Sequence, residues 1–261
     1  LLSNTSSPTP LDVWTPSDEF IKPQIADQVA IGYFKNFKDD MYSLEAEAFY
    51  KTIKNRIDYI DGANLIANEA IEQVILNGRM RSYGLELMLR KNEGKLTGWI
   101  SYTLSKSQQQ TPGRNASETG INNGEWYNSL YDKTHNLAIT SSYTLNKKWS
   151  FGANFALQTG QPVTYPTAYY EYQNIYVPSY GLRNENRLPV YHHLDISATL
   201  TPHKNANRNW KGEWVFSIYN LYGRKNAASI AFRQNEETGV NEAVKTSIFG
   251  FIPAVSYNFK F

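Results

Sequence analysis

The sequence predicts an all-β fold, an antiparallel β-barrel that spans a membrane, and three observations support this prediction. The last stretch, residues 247–261, alternates apolar and polar side chains up to the final residue. Aromatic residues make up 14% of the chain, although its mean hydropathy is −0.52. Short and long connections between alternating segments follow each other in turn. A wall with lipid on one face and water on the other requires this alternation, because successive side chains of a strand point to opposite faces.

Composition argues against several classes of protein. The 261 residues allow one large β domain or two small ones. A formal charge of +2 without a basic cluster gives no indication of a nucleic-acid partner. The absence of cysteine removes disulfides, thiolate chemistry and cysteine-bound metals. The longest uncharged run, residues 149–170, is interrupted by polar residues and prolines, so it does not predict a transmembrane helix.

About nine segments have the two-residue period of a strand with one face in water. In one of them Ile100, Tyr102 and Leu104 alternate with serine and threonine. Residues 42–60 form a segment longer than an ordinary strand of a soluble protein. In chain order, the segments are residues 24–37, 42–60, 81–90, 96–107, 132–145, 149–158, 188–200, a strand that starts at Trp214, and 247–261.

The lengths of the connections predict which end of the strands lies on each side of a membrane. Short polar turns are predicted at residues 35–40, 91–95, 146–148 and 201–209, and long connections at 61–77, 108–131, 165–186 and 234–243. The sequence leaves open whether residues 61–77 are helical. Outer-membrane barrels have short periplasmic turns and long extracellular loops. Aromatic residues near the short turns are typical of an interfacial girdle, and they are Tyr33, Tyr143, Trp149 and Phe259.

The strand count predicts an incomplete barrel. Nine is odd, whereas single-chain bacterial barrels have an even number of strands. Residues 1–23 have loop composition without a secretory signal, and the alternation of turns places them outside the cell, while the chain ends on the periplasmic side. We therefore expect residues 1–261 to be the C-terminal portion of a larger barrel, whose missing strands pair with the free edges.

Several segments, in this order, resemble the late barrel strands of TonB-dependent outer-membrane receptors. They are S-Y-G-L-E-L, W-I-S-Y-T-L-S-K-S, Y-D-K-T-H-N-L-A-I-T-S-S-Y, W-S-F-G-A-N-F-A-L-Q-T-G-Q-P, R-L-P-V-Y-H-H-L-D-I-S, W-V-F-S-I-Y-N-L-Y-G-R-K-N and the closing P-A-V-S-Y-N-F-K-F. In these segments the sequence looks like receptors of the Bacteroidetes outside the starch-utilisation branch. It departs from them at His193, where relatives often carry arginine.

This resemblance implies a barrel of ~22 strands with a separate N-terminal plug. It implies active import of a scarce nutrient, which could be a siderophore, haem, cobalamin, peptide or glycan, across the bacterial outer membrane. The implied partners are the missing strands and plug, a TonB-type energy coupler of the inner membrane, outer-membrane lipid and, as a further candidate, a surface lipoprotein. No cofactor is implied.

Two long connections carry candidate ligand-binding residues. Phenol rings near a guanidinium suit an aromatic, catecholate or sugar ligand, and the first connection supplies Tyr165, Tyr169, Tyr170, Tyr172, Tyr176, Tyr180 and Arg183. The alternative is that these tyrosines pack on each other above the barrel. A weaker candidate of the same kind is the earlier connection with Arg114, Trp126 and Tyr127.

Charged side chains are also predicted on the water-filled side of the wall. They are Glu45, Glu47, Glu86, Arg90, His193 and Asp195, and they could contact the plug or tune the electrostatics of transit. The alternative is that these side chains only line a water-filled lumen, where hydrogen bonds hold them in place. His192 and His193 are adjacent and point to opposite faces, so they predict no metal site. No arrangement of catalytic residues is present, and we expect no enzyme. The competing functions are a passive porin, an adhesin-like barrel and a soluble sugar-binding β-sandwich.

Overall fold

The computed structural model describes residues 2–3, 12–13, 16–63, 68, 70–173, 175–202, 211–235 and 239–260, with only the backbone for residues 2, 3, 12, 13, 175, 176, 234 and 241. Its main strands are β1 (Ile25–Phe37), β2 (Tyr42–Tyr59), β3 (Ile75–Lys91), β4 (Leu96–Gln110), β5 (His135–Thr144), β6 (Trp149–Gln158), β7 (Tyr191–Leu200), β8 (Lys211–Tyr219) and β9 (Ile252–Lys260). Each pairs with the next in one antiparallel sheet, which we call the wall, and Trp126–Asn128 pairs with the end of β4. The predicted all-β antiparallel fold is confirmed.

The register divides the wall into two faces. Residues directly opposite each other in an antiparallel pair lie on the same face. Leu85 lies opposite Ala48 and Leu104. Glu86, its neighbour in the chain, lies opposite Glu47. We call the side that carries Leu85 the apolar face and the side that carries Glu86 the polar face.

The apolar face is not the inside of a soluble domain. Val29 and Ile31 of β1 are each 77% exposed, and Val255 of β9 is 62% exposed. Within the described residues, the buried hydrophobic side chains form two small clusters, around Tyr59 and around Leu76, near the end of β2 and the start of β3. In the same part of the chain, no helix is both long and apolar enough to span a membrane. The rows of apolar side chains therefore face outward, as a membrane wall requires.

Stacked aromatic pairs border the apolar face at both ends. Phe37 stacks on Tyr42 with ring centroids 6.0 Å apart, and Tyr50 stacks on Tyr83 at 6.2 Å. Tyr42 and Tyr50 of β2 are separated by eight residue steps, or ~26 Å along a strand. At the ~35–45° tilt of barrel strands this length spans ~20 Å of height, which is most of the ~25 Å apolar band of outer-membrane barrels.

The connections alternate in length as the sequence predicts. Residues 38–41, 92–95 and 145–148 are short turns, whereas 60–74, 111–134, 159–190 and 220–251 are long. We call the end of the wall with these long segments the long-connection end. Residues 203–209 of the turn predicted at 201–209, and residues 1, 4–11, 14 and 15 of the loop predicted at 1–23, lie outside the described residues. Residues 61–77, left open above, contain a 3-10 helix, Ile71–Gln73, and the start of β3.

The connections predicted at residues 165–186 and 234–243 are not loops throughout, because each contains paired strand residues, although 235, 239 and 240 lie between strands as predicted. Pro166–Tyr172 pairs with Ile175–Tyr180, and Ser229–Gln234 pairs with Asn241–Thr246, so each forms a β-hairpin. A bulge and two prolines interrupt the alternation in the first hairpin, which hides its strands from a search for a two-residue period. The last strand begins at Ile252 rather than at residue 247.

Candidate functional site at the long-connection end

The tyrosines of residues 165–180 stand on a hairpin that projects from the long-connection end. Tyr170, Tyr172 and Tyr180 are 56%, 61% and 60% exposed, and Tyr169 is half-buried. Tyr170 and Tyr172 are two residues apart on one strand, so they share a face of the hairpin. The side chain of Tyr176 lies outside the described residues. Three phenol groups are therefore open to a ligand.

Tyr165 lies at the base of this hairpin and contacts the second one. Its ring meets that of Phe232 edge to face, with centroids 4.9 Å apart. Its hydroxyl is buried and has no hydrogen-bond partner among the described residues. Burial raises the pKa of Tyr165 above its ordinary value. This tyrosine packs between two hairpins, as the alternative reading of the tyrosines anticipated for the whole group.

Arg183 fastens the Tyr-rich hairpin to the wall. Its Nη1 donates to Asp58 Oδ1 at 2.6 Å and to the Tyr59 carbonyl oxygen at 2.8 Å, and its Nη2 donates to Asp61. The Arg183 and Asp58 side chains are only 16% and 14% exposed. Its backbone also exchanges two hydrogen bonds with Asn122. The guanidinium that the sequence offered to an anionic ligand is thus engaged by two carboxylates of this chain.

Tyr127 hydrogen-bonds to the same carboxylate, that of Asp58. Its hydroxyl donates to Asp58 Oδ2 at 2.6 Å and lies 2.8 Å from Thr111 Oγ1. Gln109 Nε2 also donates to Asp58 Oδ2, at 3.2 Å. Burial first, and then the Asp58 charge, raises the pKa of Tyr127. The structure therefore brings Tyr127 and Arg183 together from two separate connections, but at a buried node rather than an open pocket.

The other residues of the weaker candidate lie apart from that node. Arg114 donates from Nη2 to Glu118 Oε1 at 2.7 Å and from Nη1 to the Gln73 carbonyl oxygen at 3.0 Å. This arginine lowers the pKa of Glu118 to about 2, chiefly through its side-chain hydrogen bonds. Trp126 is half-buried beneath Arg81, whose guanidinium carbon lies 4.1 Å from the centre of the indole ring.

A second buried carboxylate holds the base of the hairpin. The side chain of Asp132 is 0% exposed. It accepts from the Ser107 backbone N–H at 2.5 Å and from Arg187 Nη2. Arg187 Nη1 donates in turn to the Gly160 carbonyl oxygen at 3.1 Å. Sequence reasoning missed Asp58, Asp132 and Arg187 as ordering residues, because no local pattern marks a polar residue whose partner lies in a distant connection.

The candidate wall residues all lie on the polar face, but in two groups. Glu47 stands opposite Glu86, and Arg90 stands opposite Ser43 on the same pair of strands, while Glu45 is two residues from Glu47. Four strand spacings away, or roughly 19 Å, His193 Nε2 lies 3.3 Å from Asp195 Oδ2 on β7. The described residues contain no cluster of metal-ligating side chains.

Two-faced antiparallel strands, aromatic borders and long connections at one end define the wall of a β-barrel membrane protein. Residues 2–221 match the family described as TonB dependent receptor-like, beta-barrel. The chain belongs to this family, which places it in the bacterial outer membrane. A comparison with curated protein sequences found no match.

Solved structures of outer-membrane receptors and transporters share the fold. The ferric-catecholate import receptor Fiu from E. coli K12 is 18% identical over 100% of this chain, with a TM-score of 0.57. The ferripyoverdine receptor of Pseudomonas aeruginosa is 12% identical over 92% of this chain, also at 0.57, and the FrpB iron transporter from Neisseria meningitidis is 13% identical over 94%, at 0.54. This chain spans 30%, 27% and 32% of the length of these three proteins.

Proposed function

We propose that this chain is part of a receptor that binds a scarce nutrient at its long-connection end and imports it across the outer membrane. The observation that carries the proposal is the hairpin with three exposed tyrosines, Tyr170, Tyr172 and Tyr180, whose base is fastened to the wall by Arg183. Aromatic side chains held on a fixed platform lose little conformational freedom when a ligand binds. Family membership supports the same role.

The larger assembly is part of the proposal. The odd number of wall strands, and the outer edges of β1 and β9 that pair with no other described strand, favour the C-terminal portion of a larger barrel. The remaining strands would pair with these edges, and a plug would occupy the polar face. A TonB-type coupler would supply the energy, a surface lipoprotein is a candidate partner, and we expect a receptor of the Bacteroidetes type.

The ligand class that we propose is an iron chelate with aromatic or catecholate groups. Exposed phenol rings offer both ring faces and hydroxyl groups to such a ligand. One matched structure is a ferric-catecholate import receptor and another is bound to ferripyoverdine, and these likenesses support the choice. Haem, cobalamin, peptide and glycan ligands are the competitors in a binding test.

The charged residues of the polar face are assigned to transit rather than to chemistry. We propose that Glu45, Glu47, Glu86 and Arg90 form one contact region for the plug, and that His193 with Asp195 forms another. Carboxylates on an open wall lack the cleft that acid–base catalysis needs. No catalytic role is proposed for any residue of this chain.

Uptake of a labelled ferric catecholate by cells that produce the full-length receptor tests the function. The variant with Tyr170→Ala and Tyr172→Ala should bind the chelate roughly 30-fold more weakly, since these two rings share a face and each lost aromatic contact costs ~1 kcal/mol. Tyr180 is left unchanged, because it adjoins Ser179, which pairs with Ala168, and so lies on the other face of the hairpin. Tyr131→Ala is the matched control, because Tyr131 is 65% exposed on a neighbouring connection. Unchanged binding by the folded double variant would contradict the site. Uptake that persists without an energised inner membrane would indicate a passive porin instead.

A further inference from the structure

Beyond the Tyr50–Tyr83 pair, the apolar face of the wall becomes basic. The register places Arg81 opposite Thr52 and Arg79 opposite Lys54, on the same face as Tyr50 and Tyr83. Each step of two residues carries the wall ~7 Å further from the apolar band. Lys106, opposite Tyr83, completes a set that we call the basic row: Lys54, Arg79, Arg81 and Lys106.

Two arginines of the basic row are held around one indole ring. The guanidinium carbon of Arg81 lies 4.1 Å from the centre of the Trp126 ring, and that of Arg79 lies 5.4 Å from it. Arg81 Nη2 donates to Gln108 Oε1 at 2.8 Å, and Arg79 Nε donates to Gln110 Oε1 at 2.9 Å. These partners are neutral, so both guanidinium groups are oriented while their positive charge stays uncompensated.

Arg79 and Arg81 differ from other arginines at the long-connection end in the charge of their partners. Arg183 and Arg187 form ion pairs with buried carboxylates. Among the described residues, neither Arg79 nor Arg81 has a carboxylate within ion-pair distance. Asp27 lies on the same face opposite Thr52, and Lys106 is 3.8 Å from Asp132, so the basic row retains an excess of positive charge.

We propose that the basic row and Trp126 bind the phosphate-bearing headgroup of an anionic lipid, in the membrane leaflet on the long-connection side. The surface is continuous with the lipid-facing band and begins where that band ends. The polar layer of a bilayer leaflet is ~5–8 Å thick, which matches the height of Arg81, and the Arg79 guanidinium lies near the same Trp126 ring. Guanidinium forks bind phosphate oxygens in pairs, and tryptophan prefers this interface.

Native mass spectrometry of the full-length protein in neutral detergent tests the site, with phosphatidic acid and phosphatidylcholine as separate probes. Wild-type protein should retain phosphatidic acid preferentially. A cationic residue near a membrane surface contributes ~1 kcal/mol, or about fivefold in affinity. Arg81→Gln should therefore weaken phosphatidic acid binding about fivefold, and Arg79→Gln with Arg81→Gln roughly 30-fold. Phosphatidylcholine binding should not change.

The matched control is Lys51→Gln, because Lys51 adjoins Thr52 on β2 but lies on the polar face, opposite Ser82. This variant should bind phosphatidic acid like wild type. An equal loss in the control, or full binding by the folded double variant, would overturn the proposal. If the double variant does not fold, wild-type protein decides: equal retention of both lipids, or displacement of phosphatidic acid by inorganic phosphate, argues against a lipid site.

Discussion

The wall and the long-connection end of this molecule are held together by different means. In the wall each strand pairs with its neighbour in the chain, and the bonds are backbone ladders closed by short turns such as residues 38–41. At the long-connection end, side chains join distant segments: Arg183 bonds to Asp58 across 125 residues, and Arg187 to Asp132 across 55. A single substitution in the wall therefore removes only a small part of many similar backbone hydrogen bonds. In the hairpin, by contrast, a single substitution can remove one of the few ion pairs to a buried carboxylate.

The largest effect is expected from Arg183→Met. Removing one partner of a largely buried ion pair leaves Asp58 without a countercharge, which costs about 3–5 kcal/mol. The penalty should fall on the Tyr-rich hairpin, while the wall keeps its heat-modifiable migration in gels. Hydrogen exchange of the amides in residues 166–180 measures the local loss of protection.

The exposed pair in the second hairpin supplies the control for that experiment. Arg233 Nε donates to Glu242 Oε1 at 2.9 Å, but the arginine side chain is 66% exposed. Arg233→Gln should therefore cost less than ~1 kcal/mol. Equal exchange in Arg183→Met and wild type would show that Arg183 does not hold the hairpin.

The same contrast explains what the sequence predicts well. The strand around Ile100 and Tyr102 is evident because a two-residue period needs only local information. Asp58 looks like any polar residue near the end of a strand, and its partner lies 125 residues away, so no local pattern reveals the node. The sequence indicates a Tyr-rich connection that contains Tyr170, Tyr172 and Tyr180, but their exposure depends on a hairpin whose prolines hide its strands. Whether these tyrosines bind a ligand stays a prediction.

The two faces of β3 should respond differently to an added charge. Leu87 lies at the middle of the apolar face, opposite Ala46 and Tyr102. An arginine at the centre of the lipid-facing band costs ~2–4 kcal/mol, and Leu87→Arg should lower the unfolding free energy in lipid vesicles by that amount.

Met88→Arg is the control, because the adjacent residue lies on the polar face opposite Glu45. Its new charge meets water and a carboxylate, so the free energy of unfolding should change little. If both variants lose the same stability, the assignment of the two faces is wrong.

A smaller effect is expected where the hairpin base is packed most closely. A Cβ atom added at Gly160 would lie 1.6 Å from the Leu188 carbonyl oxygen, whereas one added at Gly250 meets nothing within 4 Å. Gly160→Ala forces the backbone apart and should cost ~1–3 kcal/mol, seen as faster proteolysis of the hairpin. Gly250→Ala should be cleaved like wild type, and equal rates for both variants would argue against close packing at this position.

The smallest effect concerns pH at the exposed Arg114–Glu118 pair. Hydrogen bonds from Arg114 lower the pKa of Glu118 from 4.5 to about 2. Because the folded pKa is the lower one, the contribution of this pair to stability is fully present above pH 4.5 and is lost as the pH falls towards 2. The Arg114 amide donates to Glu118 Oε2 at 2.7 Å, so its exchange rate reports the pair directly. Protection of this amide, corrected for intrinsic exchange, should decline over that pH window in wild-type protein. In Glu118→Gln it should stay constant, because the amide side chain does not titrate; a decline of equal size in the variant would trace the pH dependence to another group.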